Sequence, residues 1–150
     1  MTPLNKLIAF DVETQGEKQE YLLQPWRAAT YEADIRMYSF AWFDDAGKIK
    51  TNLIHPANRA ALSDQFMRIA GQGQYVVGWN TPFDIAWLLG YGLRAEVFSN
   101  RWLDAMLLWQ RLETNKMRLK EDGWGKDKQV SFGLKAAVRE FFPRLAGYED

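Results

Sequence analysis

Asp11 and Glu13 end an apolar run, Ile8-Ala9-Phe10-Asp11-Val12-Glu13-Thr14. In a β-strand, residues i and i+2 lie on the same face. The two carboxylates are therefore expected side by side near the end of a strand. Paired like charges are costly unless a cation sits between them. Hard oxygen donors of this kind suit Mg²⁺ or Mn²⁺. Read alone, Asp-x-Glu is more often an ordinary solvated turn at a strand end.

A second group follows Val76-Val77: Gly78-Trp79-Asn80-Thr81-Pro82-Phe83-Asp84. Pro82 suits the first turn of a helix. Asp84 falls on that turn, where the helix dipole favours a carboxylate by roughly 0.3–1 kcal/mol. Helix-end chemistry alone explains Asp84, and a turn or cap alone explains Asn80. Phe83 reads equally as core.

Taken together and in this order, Asp-x-Glu-Thr after a strand and Asn-x-x-Phe-Asp at a helix start resemble two motifs of one family. That family is the DEDD 3′→5′ exonuclease superfamily, and the likeness is greatest to the proofreading domains of phage-type family A DNA polymerases. Gln24-Pro25-Trp26-Arg27, Trp102-Leu103-Asp104 and Ser131-Phe132-Gly133-Leu134-Lys135 extend the resemblance over roughly Leu7 to Phe142. It implies a ribonuclease H-like fold and two divalent metals, Mg²⁺ or Mn²⁺, flanking the scissile phosphate. It implies that Asp11 bridges both metals, Glu13 holds the water-bearing one and Asp84 the other. It assigns Thr14 to the 3′-terminal nucleotide, Asn80 to the substrate strand or to orienting the site, and Phe83 to stacking on terminal bases. The implied partner is a single-stranded DNA 3′ end, with a polymerase domain in the parent chain. A bacterial or phage-infected cytoplasm is the implied location.

One feature departs from the family. Its fourth carboxylate lies in Tyr-x-x-x-Asp or His-x-x-x-x-Asp on a late helix, and no such motif follows Ser131. Asp104 is a possible substitute, although an aspartate after that strand is ordinarily not a ligand in the family. The expected fold is thus α/β, a mixed five-stranded sheet flanked by helices and lacking the family's last helix. It is expected as a single C-terminally incomplete domain over residues 1–150. Two rivals stand beside the exonuclease: a non-catalytic nucleic-acid-binding module of the same fold, and a standalone DEDD nuclease acting on RNA or oligonucleotides.

The elements that must position these residues follow from pattern. Strands are expected at Leu7–Val12, Ile35–Phe43, Lys48–Ile54, Gln74–Gly78 and Trp102–Asp104. Asp44-Asp45-Ala46-Gly47 signals a hairpin turn. Helices are expected from an Asn58 cap to Ala70, from Pro82 to Gly90, over Ala105–Leu112, and from a Ser131 cap to Phe142. Tyr21–Ala33 and Thr114–Gln129 read as loops. Lys116, Arg118, Lys120, Lys126, Lys128 and Trp124 in the second loop fit either a solvated surface or a DNA-backbone contact.

Bulk properties bound the chemistry. The 150 residues are 47% hydrophobic and 15% aromatic, with seven tryptophans, a core-forming composition. Net charge is +0, so the bulk field does not advertise nucleic acid, although a metal or local patch can supply attraction. With no cysteine, thiolate catalysis and zinc–thiolate sites are excluded. His55 is the single histidine, so no multi-histidine site exists, and its place at a strand end favours a structural role. No apolar run is long enough to span a bilayer, no signal-peptide pattern is present, and Met1 reads as a native start.

Overall fold

A computed structural model describes residues 3–14, 35–112 and 133–145. They form two compact units, one within Met1–Leu103 and one within Asp104–Asp150. Strands β1 (Leu7–Thr14), β2 (Ile35–Phe43), β3 (Ile49–Ile54), β4 (Tyr75–Gly78) and β5 (Arg101–Asp104) make one sheet in the order β3-β2-β1-β4-β5. The helices are α1 (Arg59–Gly71), α2 (Thr81–Gly90), α3 (Arg94–Ser99), α4 (residues 105–112) and α5 (Leu134–Phe141). The architecture is α/β, a mixed five-stranded sheet flanked by helices. Among the described residues, no helix is long and apolar enough to cross a membrane.

β1 is central. It pairs antiparallel with β2 along its whole length, Ile8 opposite Trp42 through Val12 opposite Tyr38. On its other edge it pairs parallel with β4, but only over Leu7–Ala9 opposite Tyr75–Val77. The strand thus outruns β4, and among the described residues its carboxyl half has no strand on that side. β2 turns into β3 through Asp44–Gly47, as the turn signal requires. The Asp44 carboxylate accepts from the Ala46 and Lys48 amides, and Gly47 takes the left-handed φ of +73°.

Strand alternation decides which residues make the core. Ile8, Phe10 and Val12 turn inward with Tyr38 and Phe40 of β2. Against them pack Leu62, Phe66 and Ile69 of α1, Trp87 and Leu88 of α2, and Val97 of α3. Phe66 touches the rings of Phe10, Phe40 and Trp102. Ala9, Asp11 and Glu13 alternate with the core residues and stay exposed on the opposite face.

Several expectations are refined. β1 runs two residues further than expected, with an irregularity between Glu13 and Thr14. α3 was not foreseen: its six residues sit between Gly92 and the last strand. A short 3₁₀ turn precedes β1 at Leu4–Lys6. α1 begins on Asn58, whose side chain accepts from the Ala61 amide, as a cap should. α5 begins after Gly133 with no side-chain cap. Ser131, the loops 21–33 and 114–129, and residues 148–150 lie outside the described residues.

Candidate functional site

β1 carries Asp11 and Glu13 because its alternation places Phe10 and Val12 in the core and leaves positions 11 and 13 outward. The two carboxyl groups share a hydrogen bond. Partial burial, then that hydrogen bond, then the Glu13 charge raise the Asp11 carboxyl from the ordinary 3.8 to about 6. The two side chains form a close pair of hard oxygen donors on one strand face. Hard oxygen donors in such a pair are the kind that a divalent cation prefers. Opposite Asp11 on β2, Ser39 donates from its hydroxyl to the Asp11 carbonyl at 3.3 Å. Ser39 was not foreseen, because only the β1–β2 register brings it beside Asp11.

Asp84 arrives from the other side of β1. β4 ends at Gly78, Asn80 turns the chain in the left-handed region (φ 62°, ψ 52°), and α2 starts at Thr81. Asparagine tolerates this conformation better than most residues. Asn80 occupies the cap position without a side-chain cap bond. Asp84 on the first turn is 2% exposed. Its Oδ1 accepts from the Val12 backbone amide at 3.0 Å. That amide lies where the β4 ladder has already stopped. The carboxylate therefore closes the edge of β1 at the peptide that joins Asp11 to Val12.

Asp11, Glu13 and Asp84 thus all bear on the carboxyl half of one strand, by different means. Asp11 and Glu13 share a face, and Asp84 grips the strand's backbone edge. Among the described residues, no three His, Asp or Glu side chains converge closely enough to hold one ion. The arrangement fits a cation held by the Asp11–Glu13 pair, with Asp84 bracing the strand that presents it.

The remaining expected site residues are placed as follows. Thr14 is half-buried at the end of β1, opposite Ile35. Asn80 is exposed. Phe83 is half-buried, packed on the core beside Trp87 with 6.3 Å between ring centroids. Asp104 has a structural task. Its Oδ1 accepts from the Met106 and Leu107 amides at the start of α4. His55 Nδ1 likewise accepts from the Ala57 amide in the turn before α1. No protein-family model matches the chain, and no curated protein sequence matches it.

Proposed function

We propose that this chain is a ribonuclease H-like 3′→5′ exonuclease domain of the DEDD type that acts on single-stranded DNA ends, of the kind that proofreads for a DNA polymerase. The observation that carries the reading is the Asp11–Glu13 carboxyl pair on the central strand, with Asp84 held against the same strand through the Val12 amide. The order of motifs, the five-stranded mixed sheet and the exposure of Asp11 and Glu13 agree with it.

In this reading, Asp11 and Glu13 hold Mg²⁺ or Mn²⁺, which when bound activates water and stabilises the leaving oxygen. Asp84 fixes the strand end, so the two carboxylates keep their spacing as the phosphate enters. Thr14 meets the terminal nucleotide through its backbone. Asn80, exposed at the mouth of α2, orients the strand. The accessible part of Phe83 offers a flat surface to a base, and such stacking tolerates any sequence.

The test uses 5′-labelled single-stranded DNA with Mn²⁺ or Mg²⁺. Stepwise shortening from the 3′ end is expected, abolished in Asp11→Ala. The expected rate is low, because the 150 residues carry no Tyr-x-x-x-Asp or His-x-x-x-x-Asp motif to supply a fourth carboxylate. DNA binding with no shortening favours the non-catalytic module. Shortening of RNA alone favours the standalone nuclease.

A further inference from the structure

Gly78 ends β4 with a backbone any residue can adopt, since its φ lies outside the left-handed region. Its requirement for glycine is one of space. A Cβ built there would stand 2.8 Å from Thr81 Cγ2, 3.4 Å from the Phe10 carbonyl oxygen and 3.5 Å from Asp84 Oδ2. Three parts of the site converge on this one point: the backbone just before Asp11, the first residue of α2, and the Asp84 carboxylate. The Thr81 methyl cannot swing clear at low cost. It belongs to a β-branched side chain that is stiff about χ1, and Thr81 is only 6% exposed.

We infer that Gly78 is a positioning residue. Its missing side chain lets α2 close on β1, so that Asp84 reaches the Val12 amide and fixes the strand end bearing Asp11 and Glu13. This rests on the reading of Asp11 and Glu13 as the cation-holding pair. Gly78→Ala should drive the Thr81 methyl outward, carry the first turn of α2 with it, and lengthen the Asp84–Val12 hydrogen bond. Thr81→Ser removes Cγ2 while keeping the hydroxyl. In the double variant Gly78→Ala/Thr81→Ser, the shortest clash is gone and the two remaining contacts are tight to ordinary.

The test reads two quantities on the whole chain: hydrogen-exchange protection of the Val12 amide without metal, and the Mn²⁺ binding midpoint. Gly78→Ala should lower Val12 protection while amides in the middle of α1 keep theirs. It should weaken Mn²⁺ binding by about tenfold, the lower end of what losing an outer-shell support costs a metal site. Thr81→Ser alone should match the wild type, and the double variant should recover both quantities. Unchanged Val12 protection in Gly78→Ala overturns the inference, and so does a double variant that stays impaired. A loss of protection spread equally over α1 also overturns it, because the effect is then on general stability. If the wild type binds no Mn²⁺, the cation-holding reading fails and the role of Gly78 toward a metal falls with it. The Val12 amide still decides separately whether Gly78 seats Asp84.

Discussion

At the scale of the residue, the central feature is the closeness of two carboxyl groups on one strand face. The Asp11 carboxyl is raised to about 6 by partial burial and by Glu13. A carboxyl raised in the folded state binds its proton more tightly there than in the unfolded chain. Between the ordinary 3.8 and about 6, the unfolded state ionises first. The metal-free protein therefore loses stability from this group as pH rises through that window. A cation competes with the same proton, so Mn²⁺ affinity should rise through that window and level off above about 6. Glu13→Gln removes the like charge but not the burial, so Asp11 should titrate lower while staying above its ordinary range. Carbon-detected NMR of the Asp11 carboxyl in both proteins measures this. An Asp11 that titrates near 3.8 in the wild type defeats the pairing. The pair was legible because a strand repeats every two residues and three alternating apolar residues mark its inner face. The role of Asp84 was only half legible. Its place on the first turn of α2 follows from Pro82 and the preceding strand. Its hydrogen bond to Val12 depends on where β4 stops pairing with β1, a tertiary detail that local pattern does not encode. Asp104 was ambiguous for a related reason, since a cap and a ligand use the same side chain.

At the scale of the element, the site depends on how firmly β1 is held from beneath. Phe10, next to Asp11 in β1, is itself part of the core, and Phe66 of α1 meets its ring edge-on at 5.1 Å between centroids. Phe66 is fully buried and also contacts Phe40 and Trp102. Phe66→Ala should cost about 3–5 kcal/mol, the range for truncating a buried phenylalanine. Urea denaturation followed by tryptophan fluorescence checks it, and a loss below about 1 kcal/mol would show that α1 does not bear on the sheet in this way. The strands, the hairpin and α1 were readable because period, turn residues and cap agreed. α3 was missed because six residues span under two turns and carry one buried apolar side chain, Val97. Gln65 is another surprise, buried on the core side of α1. Its Oε1 accepts from Arg68 at 2.7 Å and from Asn52 of β3 at 3.4 Å. A polar residue satisfied by neighbours from two elements reads as surface in any local pattern.

At the scale of the whole molecule, the division of labour is uneven. Asp11, Glu13, Asp84, Gly78 and Thr81 all belong to the first unit, as do the sheet core and the helices α1 to α3. Asp104 and the later helices belong to the second. A cation held by the Asp11–Glu13 pair should therefore not need residues 105–150. A ligand bound only to the native state stabilises it by about 2.7 kcal/mol at a hundredfold excess over Kd. For a chain of 150 residues, that corresponds to a rise in Tm of roughly 5–11 °C. Mn²⁺ should produce such a rise in the full chain, and Asp11→Ala should abolish it. A fragment of residues 1–104 keeps all of β5 and every residue of the core cluster. It should fold and show the same Mn²⁺-dependent rise, whereas cleavage should fall if the second unit contributes to seating DNA. A fragment that is folded by circular dichroism yet blind to Mn²⁺ would place a necessary ligand in residues 105–150. The two-carboxylate account of the site would then give way to one in which the second unit completes it.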